Sequence, residues 1–473
     1  MKTLKVTLKQ HTPLIHFQHE QYGATLRASE VKPKLDEYII ATEFGNNFQK
    51  VKSYLKRGAN ISDDKLEEKF ENGFRALDYQ LKIVADEKQK LDVMLNTKER
   101  ETMEEQSDGS RRRVIKYVTE DFPMLLSNMG GKEDPSELAN LVMYDYVVMT
   151  IIINDDHLLD ILRAVLPKFF ALTNFGQRST KGFGSFTVFR YNAEKPINWD
   201  ESSYYESGCP YMAFYVAKET HISEKAKQTA IMGVIDFYWK CLKAGINYTR
   251  SRLTNGKMVA QFPDRYIKSY VYVFLNTLLK KTWEKRSIKR EFRLGTDRAV
   301  VENHNTPIFA RGFLGCPDKY LYGRREVKVE HLERSDSPNK IDRIPTPIYF
   351  KPVCFNNKVY IYLLFDTQIV SSLKAIPNKK FRFTYNGRSL DLELEMFLKK
   401  SNYNLFLDYF HEYLSFDEQV QSALYYDKRR NNYYLIDGQR MEDEDYGVVP
   451  LDFNWRNILY DNQCVTFNNI EAR

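Results

Sequence analysis

From Thr3 to Leu8 polar and apolar residues alternate with period two, the pattern of a half-buried strand. The segment that follows, up to Gly23, carries turn residues and His11, His16 and His19, so the strand is expected to enter a loop near Pro13. At Leu26–Ile40 the period changes. Pro33 stands near its start, and Leu35, Tyr38 and Ile39 recur at helical spacing, which predicts a short helix with Arg27 and Lys32 at its entrance. The stretch from Asp86 to Arg113 shows neither period. It is rich in charge, poor in aromatics and ends in SDGSRRR, a composition that predicts a mobile insertion, either a long hairpin or a disordered loop.

Leu141–Ile153 reads as a β-rich run, Asp155 or Asp156 is placed to cap a helix, and Leu158–Leu172 supplies that helix with an apolar face. The glycine-rich TNFGQRSTKGFGS, Thr173–Ser185, follows at once, and SFTVFRY returns to a strand pattern. Strand, helix, loop and strand make half of a ferredoxin-like βαββαβ unit. Beyond Pro196 the chain becomes polar and Tyr-rich, and a helical region runs from about Ser223 through Leu242. These features predict an α+β fold with domains 1–195 and 196–473. In the second domain a helical stretch ends in LLKKTWEKRSIKREFRLG, an irregular region reaches Pro345, and strands are expected at Pro347–Val353 and Lys358–Phe365. The two halves share no exact sequence repeat.

Composition adds limits. With 473 residues, 43% of them hydrophobic, the chain is long enough for two or three cores, since single cores rarely grow past about 250–300 residues. A net charge of +7 is the small difference between 70 basic and 63 acidic residues, so only local clusters would attract a polyanion. Cys209, Cys241, Cys316, Cys354 and Cys464 lie far apart without metal-ligand spacing, as in a reducing compartment, and neither a metal nor a cofactor is expected. The first residues lack the apolar stretch of a signal peptide, and the best apolar run, Tyr146–Ile153, is too short to span a bilayer. The expected location is cytoplasmic, with no membrane partner.

The loop containing Gly176, Gly182 and Gly184 is the most informative segment. Glycines permit close backbone approach, while Arg178, Ser179, Thr180 and Lys181 between them are suited to phosphate. It is not a Walker A motif, having no GK[ST], and it is not GxGxxG. A plain glycine-rich turn between helix and strand accounts for the same residues. Lys280–Arg293 holds seven basic residues against two acidic ones, and Lys281, Lys285, Lys289 and Arg293 recur every four positions, as on one helical face. That stripe fits a polyanion or a solvated surface, and Trp283 fits base stacking or core anchoring. The three histidines near Glu20 match neither HExxH nor HxxEH, and loop or core histidines explain them better than acid–base chemistry. Asp155 and Asp156 are better caps than Mg²⁺ ligands, and no nucleophile stands at a recognisable spacing from a base.

Taken together, these motifs resemble the RAMP superfamily of CRISPR proteins, whose hallmark is a glycine-rich loop after the last helix of a ferredoxin-like fold, here FGQRSTKGFGSF, Phe175–Phe186. The opening HTPLIHFQHEQYGATLRASEVK is similar to the RAMP segment in which a TP-containing strand leads to a loop near RNA, with Thr12, Pro13, Leu26, Arg27, Ser29 and Lys32 as matching positions. In the second half, FLGCPDKY and SPNKIDRIPTPIYFKPV resemble a pattern in the first subunit of type III-B (Cmr) effector complexes, with Thr346 where that pattern has Ser.

The resemblance implies two tandem ferredoxin-like (RRM-like) RAMP domains with helical insertions. It implies a non-catalytic subunit that binds the 3′ part of the guide RNA and its target RNA beside other subunits of a type III complex, in antiviral defence. The residues expected to meet RNA are Arg27, Ser29, Lys32, Gly176, Arg178, Ser179, Lys181, Gly182 and Gly184, together with Lys281, Lys285 and Lys289. Two alternatives stay open. The first is a RAMP endoribonuclease that processes guide RNA through one of the three histidines, although such enzymes carry the loop near the C-terminus. The second is a backbone subunit that cuts target RNA with a loop Asp, for which Asp36 is poorly placed.

Overall fold

Strand β1, Lys2–Gln10, buries Leu4, Val6 and Leu8 and turns the residues between them outward, as its period-two sequence requires. The computed structural model describes residues 1–15, 25–58, 61–86, 88, 90–93, 97–105, 111–119, 141–199, 210–215, 224–239, 242–243, 246–248, 251–254, 257–260, 265–267, 269–277, 281–294, 307–316, 318–322, 325–333, 344–355, 358–376, 378–397, 424–427, 432–435, 449–450 and 466–469. His16 and His19 lie outside them.

Helix α1, Ala28–Thr42, presents Val31, Leu35, Ile39 and Ile40 to the core and keeps Pro33 on its exposed side. Strand β2, Tyr79–Ala85, follows. Strand β3, Tyr146–Ile153, leads into helix α2, Asp156–Leu172, whose N-cap Asp155 accepts a hydrogen bond from the Leu158 N–H at 2.7 Å. Strand β4, Phe186–Tyr191, completes the set. The sheet order is β2-β3-β1-β4 with every neighbour antiparallel, and Val6 pairs with Met149 on one side and Tyr191 on the other. Phe169, Phe170, Phe175 and Phe186 pack together in the core between the helices and this sheet.

Between β2 and β3, where the sequence predicted a mobile insertion, Thr97–Glu105 and Arg111–Thr119 form an antiparallel hairpin, and Lys90–Val93 pairs with Leu141–Tyr144.

A second sheet is built from β5, Pro210–Tyr215, β6, Ile348–Phe355, β7, Lys358–Phe365, and β8, Thr466–Asn469; helix α3, Glu224–Trp239, follows β5 in the chain and helix α4, Thr367–Lys374, follows β7. Its order, β6-β7-β5-β8, repeats the succession of the first sheet. Trp199 packs against Phe355, Tyr360 and Tyr362 on this sheet.

The chain divides into two compact units, residues 1–233, 350–362 and 457–473 in one and 234–349 and 363–456 in the other. The second unit holds a further sheet of Lys319–Tyr322, Arg325–His331, Lys380–Tyr385 and Arg388–Glu393, so Lys319–Tyr322 and Arg325–His331, in the region read from sequence as irregular, are regular strands. Phe309, Tyr320, Phe381 and Phe383 form its aromatic core. Among the described residues no helix is long and apolar enough to cross a membrane.

Candidate nucleic-acid interface

The glycine-rich loop is fastened at its base to the chain that leaves β1. Phe175 N–H donates to Gly184 O at 3.0 Å, His11 N–H to Ser185 O at 2.9 Å, Gly184 N–H to Pro13 O at 2.8 Å and Gln177 N–H to Ile15 O at 2.7 Å. Thr12 links the same two segments through its hydroxyl, which donates to Gly182 O at 2.6 Å and accepts from Ser185 N–H at 3.0 Å. Thr12 and Pro13 of the opening motif and Gly182 to Ser185 of the loop motif therefore form one structure.

The glycines answer to protein contacts as well as to conformation. Gly176 and Gly184 have φ of 76° and 67°, and a Cβ on Gly176 would lie 2.5 Å from Ile15 O. On Gly184 it would overlap the Phe175 carbonyl oxygen outright. Gly182, with φ 85°, is buried.

Between these glycines Arg178 adopts a left-handed backbone, φ 55°, a conformation costing about 1–2 kcal/mol for a residue with a Cβ. Its peptide oxygen accepts from Lys181 N–H at 2.8 Å, and Asn174 Nδ2 steadies the turn through Ser179 O at 2.7 Å. Half-burial lowers the pKa of its guanidinium. The first turn of α1 meets this loop directly: Gly176 N–H donates to Glu30 Oε1 at 2.6 Å, bringing the turn that carries Arg27 and exposed Ser29 to the loop. Lys34, which the sequence reading passed over, bridges Glu30 at 3.2 Å and Asn174 O at 3.4 Å. Its spacing from Glu30 is the i,i+4 signal that would have found it.

Two lysines expected at RNA are placed elsewhere. Lys32 Nζ lies 2.6 Å from Asp36 Oδ2, 2.9 Å from Leu77 O and over the Tyr79 ring, so its charge is neutralised inside the domain. Asp36 itself is buried, and burial raises its pKa against the opposing pull of Lys32. The Lys181 ammonium is also buried.

His11 is buried and held at both ring nitrogens. Nδ1 accepts from Cys354 N–H at 3.1 Å, which leaves the ring proton on Nε2, 2.8 Å from Thr187 Oγ1. Burial first, and the charge of Lys351 second, push its pKa well below the usual histidine value. Lys351 ties β6 to the loop by donating to Thr173 O at 2.8 Å and Phe186 O at 3.0 Å. Sequence reading missed this lysine, since its partners lie far away along the chain.

In the second unit the predicted basic stripe does not form. Thr282–Trp283 is extended and pairs in parallel with Pro307–Ile308, so the helix covers only Glu284–Glu291. Lys285 and Lys289 share that helix, whereas Lys281 precedes it and pairs with Glu395 at 2.6 Å, and Arg293 turns away at φ 53°. Glu284, an acid within the basic run, is fully buried; it receives the guanidinium of Arg311 and the Ala310 N–H at 3.0 Å. Arg311 continues to Tyr322 Oη at 2.8 Å and covers the Tyr320 ring. The motifs FLGCPDKY and RIPTPIYF meet here, through Cys316 N–H to Ile344 O at 3.0 Å. Lys243 donates to Leu314 O and Gly315 O at 2.9 and 2.8 Å, and burial lowers its pKa to about 8, while burial pushes the Cys316 thiol up to about 12.

Residues 1–246 match the family model of the Cmr1 N-terminal domain, and residues 266–432 match that of the Cmr1 C-terminal domain. The chain belongs to the Cmr1 family. Membership bears out the resemblance to RAMP proteins of CRISPR systems, and its type III-B (Cmr) branch, that the loop and FLGCPDKY motifs carried. A chain in the cryo-EM structure of the type III-B Cmr-beta bound to cognate target RNA is similar over 86% of this chain and 98% of its own, at 11% identity and TM-score 0.32. The crystal structure of Cmr1 from Pyrococcus furiosus, in its apo form, is similar over 78% and 89%, at 11% identity and TM-score 0.31. No curated protein sequence matches the chain.

Proposed function

We propose that this Cmr1-family chain is a non-catalytic, cytoplasmic subunit of a type III-B effector complex that holds the 3′ part of the guide RNA and its paired target RNA beside other subunits. Its architecture on this reading is two ferredoxin-like modules, supported by the identical strand order of the two sheets. The observation that carries the RNA reading is the strained Arg178 in a loop braced by Thr12, Ile15 and Glu30. Conformational cost held at a braced surface turn supports a functional reading of that position. Arg27, Ser29, Arg178 and Ser179 would meet phosphate and sugar, so base pairing supplies sequence specificity and the protein supplies salt-sensitive affinity.

The nuclease reading loses His11, whose buried and doubly hydrogen-bonded ring has no path to a 2′-hydroxyl. The target-cutting reading loses Asp36 to its ion pair with Lys32. The test is a gel shift and a metal-free cleavage assay on single-stranded RNA at two salt concentrations. Wild type, Arg27→Ala/Arg178→Ala and His16→Ala are compared. Salt-sensitive binding without cleavage, weakened alike for all RNA sequences in the double variant, is expected. Metal-free cleavage that His16→Ala abolishes would replace this reading with the nuclease.

A further inference from the structure

The first sheet has an outer face with three exposed cations, Lys5, Lys82 and Arg190. None of its four strands contains Asp or Glu, although the chain as a whole has 63 acidic residues against 70 basic ones. Helices α1 and α2 pack on the inner face, against Leu4, Val6, Leu8, Met149 and Ile151. The register places Lys5, Thr150 and Lys82 in one row across the outer face and Arg190, Thr7, Val148 and Val84 in the next. Lys5, Lys82 and Arg190 are exposed, and so are two paired apolar side chains, Val84 at 50% and Val148 at 39%. At one end of the face the rings of Tyr146 and Phe189 lie 4.7 Å apart at 43°. Lys9 stands over Tyr146, neutralised by Asp145 at 2.7 Å, which lies just outside the strand.

We propose that this outer face, distinct from the glycine-rich loop, is a second RNA surface that takes an unpaired stretch of RNA, with bases against Tyr146, Phe189 and the Val84–Val148 pair and phosphates at Lys5, Lys82 and Arg190. The proposal rests on the RNA-binding reading above. An unpaired strand offers flat apolar bases and a continuous anionic backbone about a base apart, which is the combination that aromatic and aliphatic side chains spaced among cations can take up. Paired RNA hides its bases, and a docking protein would have to supply carboxylates for cations that have none in the four strands.

The experiment measures the affinity of the full chain for a uridine-rich single-stranded RNA across a salt series, and maps photocrosslinks from 4-thiouridine in that RNA. Lys5→Gln/Lys82→Gln/Arg190→Gln is expected to weaken binding and to flatten the plot of log affinity against log salt by about 2, at about 0.7 for each phosphate contact on a single strand. Tyr146→Leu/Phe189→Leu is expected to weaken binding about tenfold with an unchanged salt slope. Should that variant not fold, the charge variant and the crosslinks decide alone. Crosslinks are expected at Tyr146 or Phe189.

A charge variant with wild-type affinity and slope, or crosslinks confined to residues outside the four strands, overturns the proposal. If Arg27→Ala/Arg178→Ala still weakens binding in that case, the loop reading survives. A wild-type chain that binds no RNA removes both. Unchanged RNA affinity combined with lost association with other effector subunits overturns the proposal in favour of a protein-docking face.

Discussion

Two corners of the molecule contain glycine at a motif position, and they are held together by opposite means. Around Gly184 the chain is joined mainly by neutral contacts, peptide N–H groups to peptide oxygens and the Thr12 hydroxyl between them, with Glu30 and Lys351 bonding to peptide groups rather than to each other. Around Gly315 it is joined by buried charge, with Glu284 meeting Arg311 and Lys243 capping the carbonyls of Leu314 and Gly315. The first arrangement leaves a polar side chain such as Arg178 half-exposed, because the backbone has satisfied itself. The second consumes its cations internally, since a buried carboxylate without them would be too costly to keep. A glycine motif by itself therefore says little about ligands, and the partners of the charges around it say more.

The sharpest way to break this contrast is at the two glycines. Gly184→Ala should destabilise the first unit by on the order of 4 kcal/mol or more in urea unfolding, because its Cβ meets backbone that cannot move aside. Gly315→Ala, whose Cβ would find its nearest neighbours at 3.6 Å, meets no overlap and should cost only backbone strain, about 1–3 kcal/mol at a φ of 102° and ψ of 114° that side chains rarely adopt. Equal losses at both positions would erase the distinction.

Next comes Glu284→Gln, which strands Arg311 in the interior. A loss of about 3–5 kcal/mol is expected, partly recovered when Arg311→Met removes the orphaned charge as well. A smaller effect on stability is expected at Arg178. Arg178→Gly should raise unfolding stability by about 1 kcal/mol by relieving the left-handed backbone, while weakening RNA binding. Stabilisation without any loss of RNA affinity would show the strain to be unrelated to a ligand.

Near neutral pH the smallest effect belongs to His11. Its folded pKa lies well below the usual value of about 6.5, so below that pH the unfolded chain takes up a proton that the folded ring refuses. Stability should fall as pH drops from about 6.5 toward the folded pKa, by up to about 1.4 kcal/mol per pH unit. Comparing urea midpoints of wild type and His11→Asn over that range isolates the contribution, and identical pH profiles would show that His11 does not titrate differently on folding.

Much of the first sheet was legible in the sequence. A period-two run marked β1, β-rich runs marked β3 and β4, Asp155 or Asp156 was expected as the cap that Asp155 proves to be, and the glycine-rich loop was located between α2 and β4. The helical stripe at Lys281–Arg293 was misread because a four-residue spacing of lysines is equally available to an extended segment. Pairing of Thr282–Trp283 with Pro307–Ile308 decided against the helix there, and that partner lies outside any local window. A second ferredoxin-like domain was implied by the family resemblance alone; its strand order was not readable from local pattern, since long segments separate α3 from β6 and α4 from β8.

The sequence by itself determined the inward-facing apolar pattern of β1, α1 and α2, where the glycine-rich turn falls, and the family to which the chain belongs. Each follows from short-range periodicity or from a contiguous motif. Only the tertiary structure decided which charges are available. It placed Lys32 on Asp36, Lys281 on Glu395, Lys351 on Thr173 and Phe186, and Arg311 on Glu284, and it left Arg178 in a strained turn beside the first turn of α1. The physical reason is that burial forces an ion to find a partner, and all but the first of these partners lie far along the chain, where only the packed fold brings them within reach.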